Sequence, residues 1–152
     1  MANPYPFVAG AVLQAAELNG IGEKTSYTPT FTNLTLGNGT LTANYFRINK
    51  VVTVNVCVVF GTTTAITGDV AVVLPIPRAG LDGLELSTAN LSDTGTSNLI
   101  GAVLFGGTLS SVSVRNSAVS GANVVMQNLS ALIPFTWTST DVLQFAAQYE
   151  VA

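Results

Sequence analysis

No histidine occurs anywhere in the 152 residues. That removes serine–histidine and cysteine–histidine nucleophiles, imidazole zinc ligation and the commonest general base together. The single cysteine, Cys57, can form no internal disulfide and cannot hold a structural zinc alone. On a strand face it reads as a small filler. Among the eight acidic residues only Asp82 and Glu85 stand close together, in AGLDGLELS. Paired carboxylates can hydrolyse glycosides, but this pair falls in a loop entering a strand, where solvated side chains are expected. Asp93 could join them around calcium, yet the spaced Asp/Asn pattern of a calcium loop is missing. GTTTAITGD (residues 61–69) lacks the lysine and the following helix that a phosphate-cradling loop requires. The N-x-Ser/Thr triplets at Asn33, Asn38, Asn90 and Asn128 arise by chance in a chain this rich in those residues. Tyr45 and Trp137 could stack on a sugar ring or seal an intersubunit seam, although closing a core is the commoner use of such aromatics. The expectation is no enzyme, no cofactor and no metal.

Composition narrows the class further. Apolar residues make up 48%, enough for a real core in one domain of this length. Charged residues make up only 9%, against roughly 25% in typical soluble chains. Thr, Ser and Asn replace them, and a surface so thinly charged is expected to be covered in part by copies of itself. Lys24, Arg47, Lys50, Arg78 and Arg115 are scattered and leave no footprint for nucleic acid. A secretory signal is a poor fit, because no basic segment precedes PFVAGAVLQAA. VVTVNVCVVF (residues 51–60) is too short and too polar for a membrane helix, so a soluble chain is expected.

The elements follow from periodicity. In residues 51–60, Val52, Val54, Val56, Val58 and Phe60 share one face, while Thr53, Asn55 and Cys57 share the other. That alternation predicts a strand with one buried side. Residues 141–152 repeat it, with Leu143, Phe145, Ala147, Tyr149 and Val151 against Gln144, Gln148 and Glu150. FTNLTL (31–36) and LTANYFRI (41–48) flank Asn38-Gly39, which predicts a tight hairpin. The phase slip at Tyr45–Phe46 predicts a bulge or a two-sided strand. Residues 69–76 form a strand stopped by Pro75 and Pro77; segments 84–91, 98–105, 109–114 and 124–135 complete about nine strands. The predicted fold is all-β: an antiparallel two-sheet sandwich, with a jelly roll the expected form.

Residues 1–25 differ. VLQAAELNG (12–20) reads as a short helix with an Asn-Gly stop and an apolar stripe of Val12, Leu13, Ala16 and Leu18. Two turns are too few to hold in water alone, so the segment is expected to dock. The predicted organisation is a docking arm, 1–25, and a sandwich domain, 26–152.

Residues 27–77 resemble a β domain of tailed-bacteriophage structural proteins. The shared features are a Tyr-Thr-Pro-Thr opening, a Gly-Asn-Gly-Thr hairpin, a Tyr-x-Arg-Ile strand, a Val-rich strand, a Phe-Gly-Thr-Thr-Thr loop and a Leu-Pro close. IPFTWTSTDVLQFAAQYE (133–150) is similar to the end of the same domain. VAGAVLQAAELNGI resembles the opening of phage appendage proteins, with Gln14 where Thr is usual. The resemblance implies a protein on the surface of a phage particle, assembled in the host cytoplasm. Its first form is a capsid decoration or cement (head-fibre) protein, anchored by residues 1–25 to the major capsid protein. Copies are expected to join with closed, three-fold symmetry. The alternative is a tail-fibre or receptor-binding head on a tail hub, presenting residues 61–69 and 78–83 to a host glycan. Neither form binds nucleic acid or membrane, and the resemblance brings no catalytic residues.

Overall fold

The computed structural model describes residues 22–80, 86–104 and 108–152, and all regular structure within them is β. Ten strands occur: β1 Thr25–Ser26, β2 Phe31–Thr35, β3 Thr40–Ile48, β4 Val51–Val59, β5 Ala65–Val73, β6 Leu86–Asp93, β7 Ser97–Leu104, β8 Ser111–Ser120, β9 Asn123–Asn128 and β10 Val142–Glu150. They form one antiparallel sheet in the order β1-β3-β4-β10-β6-β7-β8-β5-β2, with β9 added to β8. The sheet curves into a half-barrel. The all-β expectation therefore holds. The helix expected over residues 12–20, with Val12, Leu13, Ala16 and Leu18, lies outside the described residues. The boundary expected after residue 25 falls within the two-residue β1.

β4 forms as its alternation predicts. Val52, Val54, Val56 and Val58 are at most 2% exposed, while Thr53, Asn55 and Cys57 stay half-exposed. Burying one valine is worth about 1.5–3 kcal/mol, so these four contribute on the scale of a whole domain's net stability of about 5–15 kcal/mol. β10 pairs with β4 over nine residues, from Val59↔Val142 to Val51↔Glu150, and buries Leu143, Phe145, Ala147 and Tyr149 on the same side. β3 runs along the other side of β4 in an unbroken nine-residue register. No bulge interrupts β3: it is two-sided, with Ala43 and Asn44 both buried and Tyr45 to Arg47 half-buried.

Pairing is shorter elsewhere. β10 meets β6 only over Val142–Phe145, and β7 meets β8 only over Gly101–Leu104, which lets the sheet turn at both places. A side chain at Gly101 would collide with the Arg115 carbonyl, so glycine is what allows β7 and β8 to approach. The turn brings β8, β5 and β2 round to the β4–β10 core. Val70, Val72, Val103, Val112, Val114 and Leu34 join the β4 valines in one buried cluster.

β2 and β3 do not pair with one another, which corrects the expected hairpin. β2 lies on β5, with Leu34↔Ile66 and Phe31↔Val72 as partners, while β3 lies between β1 and β4. Leu36 to Gly39 still make a tight turn, closed by the Gly39 N–H to Leu36 carbonyl bond at 2.9 Å. Gly37, not Asn38-Gly39, takes the positive φ, at 55°. This turn crosses from one end of the sheet order to the other. So do residues 27–30, between β1 and β2, and residues 60–64, between β4 and β5. The first of these straps is tied on both sides. Tyr27 N–H donates to Ala43 O at 3.2 Å, and Val73 N–H donates to Thr30 O at 3.0 Å.

The two remaining crossings lock together. Asn38 Oδ1 accepts from the Thr63 N–H and hydroxyl, and Asn38 Nδ2 donates to Thr62 Oγ1, each at 2.9 Å. Asn38 N–H donates to Thr63 Oγ1, also at 2.9 Å. Among the described residues the only register shift falls between Thr32 and Leu34 in β2. There Asn33 sits at φ 58° and donates Nδ2–H to the Asp69 carbonyl at 2.9 Å. After β5 the chain leaves the sheet at Leu74-Pro75, as the paired prolines predict. The strand expected over 124–135 ends at Asn128, and a Ser130–Ile133 bridge continues it.

Candidate functional site

The two aromatic candidates land in different places. Trp137 stacks on Phe60 with centroids 4.6 Å apart and leans on Phe135 at 4.5 Å. Its indole N–H donates to the Ile133 carbonyl at 3.3 Å, so its polar end is already used. Tyr45 meets Tyr27 edge-on at 5.9 Å. With Pro29, Val73 and Pro75 they line a cavity of about 340 Å³ under the strap. Tyr149 lies beside them at 1% exposure. Burial pushes its phenol up to about 12, against the pull of a hydrogen bond with the Ile76 backbone and reinforced by Tyr45. Burial, with Tyr149 adding, pushes Tyr27 higher still. Tyr27 and Tyr149 are neutral phenols at ordinary pH, and the cluster seals the seam between sheet ends.

The remaining candidates are absorbed by structure. The Thr62 and Thr63 hydroxyls serve the Asn38 clasp, the Thr64 hydroxyl donates to the Leu36 carbonyl, and from Ala65 the expected loop is already β5. Arg78 is buried at 6% exposure and donates Nη2–H to the Thr108 carbonyl at 3.1 Å. Cys57 faces Gln144 at 3.8 Å, and burial pushes its thiol up, away from a reactive thiolate. Asp82 and Glu85 lie outside the described residues, while Asp93 opens the β6–β7 turn. Among the described residues no three His, Cys, Asp or Glu side chains gather closely enough to hold a metal. Asp141, which the sequence did not single out, is 1% exposed and accepts from Thr94 N–H at 3.0 Å and Thr138 N–H at 2.6 Å. It holds two turns.

Two surface features remain. The first is a groove of about 600 Å³ on the outer face of β3, β4, β10, β6 and β7. Pairing places Thr42, Cys57, Gln144, Asn90 and Ile100 in one row across those five strands, with Asn44 and Asn55 in the next. Among the described residues no charged side chain lines it. Asn55 Nδ2 donates to Asn44 Oδ1 at 3.4 Å, whereas Thr42, Thr88 and Asn90 offer side-chain donors and acceptors with no partner among the described residues. The groove can hold an uncharged, hydroxyl- or amide-bearing surface, and it repels none by charge. Each polar half of an alternating strand was visible in the sequence; the row needed the strand order.

The second feature is the hairpin of β8 and β9. Six residue pairs, Arg115↔Asn128 to Ser120↔Asn123, close on a two-residue turn with Gly121 at φ 62°. Every residue of β9 is exposed. On the outer face Val119 is 80% exposed and Val124, its cross-strand partner, 70%. Ser117 and Met126 share that face, in contact at 3.9 Å, and Ile100, 73% exposed, occupies the neighbouring row on β7. Arg115 is bound to Asp69 at 2.9 Å. From there to Asp141 the chain carries no charge at all. In comparisons with known proteins, no family model, no curated protein and no solved structure matches this chain.

Proposed function

We propose that the chain is a non-enzymatic structural protein of a bacteriophage particle, a capsid decoration protein that covers part of its surface against neighbours. The observation that carries this reading is the β8–β9 hairpin, which leaves Val119, Val124, Val125 and Met126 exposed within a stretch, Asn116 to Thr140, that carries no charge. On a free monomer such a patch is a liability; in a shell of repeated copies it is a contact. The low overall charge fits the same use, and residues 27–77 and 133–150 carry the resemblance to phage structural domains. In this reading the curved sheet acts as a two-layer sandwich of jelly-roll type. The three seam crossings hold its layers, and residues 1–25 dock through Val12, Leu13, Ala16 and Leu18 onto the capsid. Copies assemble as a closed homo-oligomer.

One observation favours a second reading. The groove of Thr, Asn and Gln side chains matches the hydrogen-bonding character of sugar hydroxyls, which suits a tail-fibre head touching a host glycan. Antibody labelling of purified particles in electron micrographs separates the two. Label on the head supports decoration, label on the tail supports the fibre, and unlabelled particles refute both. Removal of residues 1–22 is expected to leave a folded domain that no longer joins particles.

A further inference from the structure

We propose that β9 is a self-recognition strand: two copies join by pairing β9 with β9 antiparallel about a two-fold axis, continuing the sheet from one copy into the next. The contact deepens the assembly role proposed above, yet it stands on the hairpin alone and holds wherever the protein is located.

The argument begins with how this chain treats its edges. A free strand edge offers unpaired N–H and C=O groups, and soluble proteins blunt it with charge, proline, bulges or extreme shortness. β1 is two residues long and β2 carries the Asn33 bulge, so both are blunted. β9 has none of these devices. Asn-Val-Val-Met-Gln-Asn contains no charge and no proline, pairs with β8 without a register shift, and among the described residues has no strand on its other edge. The tight Gly121–Ala122 turn fixes the hairpin in advance, so little order remains to be imposed on pairing.

The occupant is a second copy because of charge and geometry together. Identical chains bring identical charges to a two-fold contact, and like charges facing each other oppose it. Here the whole stretch from Asn116 to Thr140 is neutral. An antiparallel strand pair with its axis normal to the sheet keeps each face on its own side. Centred on Val125, it sets Val125 against Val125 of the second copy on one face. On the other it sets Val124 against Met126, twice, flanked by Val119 from each copy. The most exposed apolar side chains of the hairpin thus meet one another. Such a contact joins two copies; it cannot by itself close a three-fold ring.

Two measurements on the full chain test this. Light scattering on the eluting protein should give the mass of a dimer for the native chain and of a monomer for Val124→Lys. The Lys replaces an outward, exposed side chain, so the variant should keep the native far-ultraviolet circular dichroism and unfold cooperatively, losing only the concentration-dependent part of the melting temperature that dimerisation supplies, which excludes a folding defect. In a Cys57→Ser background, Val125→Cys should oxidise to a covalent dimer, since opposed residues in such a pair fall within disulfide reach. Thr96→Cys, on the exposed β6–β7 turn, should not. A native monomer, an oligomer that Val124→Lys leaves intact, or a dimer in which Val125→Cys stays reduced would each overturn the proposal. Absence of the protein from phage particles would refute the assembly role and leave this contact standing.

Discussion

Removing the Asp141 carboxylate tests whether turn chemistry or strand burial sets the β10 register. This side chain accepts from Thr94 N–H, Thr138 N–H and, at 3.2 Å, the Thr138 hydroxyl. Its own carbonyl accepts from Phe60 N–H at 2.8 Å, and Thr140 N–H donates back to the Phe60 carbonyl at 2.8 Å. One residue therefore ties the start of β10 to the end of β4 and to the β6–β7 turn. A hydrogen bond to a charged group contributes about 1.5–3 kcal/mol. The two short bonds would then sum to about 3–6 kcal/mol, but Thr94 and Thr138 are exposed and their N–H groups can turn to water. Asp141→Ala is thus expected to cost about 3 kcal/mol, and Asp141→Asn about 2 kcal/mol, because an amide nitrogen would face one of the N–H donors. With a urea slope of about 1.5–2 kcal/mol/M, the alanine midpoint should fall by about 1.5–2 M. Equilibrium urea unfolding followed by tryptophan fluorescence measures it directly, since Trp137 lies in the adjoining loop. A fall below about 0.3 M at unchanged slope would refute the reasoning and show that burial of β10 suffices.

Three further outcomes are expected. Phe145→Ala, at a side chain 5% exposed, should cost about 3–5 kcal/mol; a nearly unchanged melting temperature would contradict the buried face of β10. Asn38→Ala removes the clasp between residues 36–39 and 61–64 and should cost about 1–2 kcal/mol, with faster amide exchange confined to those two turns. Tyr149 keeps its proton in the folded chain up to about 12, whereas the unfolded phenol loses it near its ordinary value of 10.0. The folded state therefore binds more protons between those values, and stability must fall as pH rises through that window. Urea midpoints taken from pH 9 upward should decline in the native chain and decline less in Tyr149→Phe.

How far the sequence could be read depended on the range of each signal. β4 and β10 were legible because alternation over nine residues is local and their buried faces agree with it. The stop at Pro75 was legible for the same reason. The turn at Leu36–Gly39 was visible, but its strands were assigned to each other because Asn38-Gly39 suits a hairpin. What decides otherwise is contact with Thr62 and Thr63, more than twenty residues away, and the fit of Leu34 beside Ile66. β1 is too short to show any period. The groove was hidden for a related reason: its row joins Thr42 to Gln144 through strand neighbours that no local pattern reveals. The hairpin was half visible, since Val124 to Met126 read as a strand but nothing nearby marked both of its faces as exposed.

The position of β10 has a consequence in time. β10, the last of the described strands in chain order, is inserted between β4 and β6, near the middle of the sheet. When β4 has emerged from the ribosome, its partner on that side is still on the order of 80 residues away, about 4–16 s at ordinary translation rates. Through that interval the most valine-rich strand of the protein has one neighbour and one bare edge. The sheet can close only once β10 has emerged as well. Nascent chains stalled before β10 emerges should bind holding chaperones at residues 51–59, and a deletion of a few residues within β10 should be more damaging than one of the same length at any surface turn.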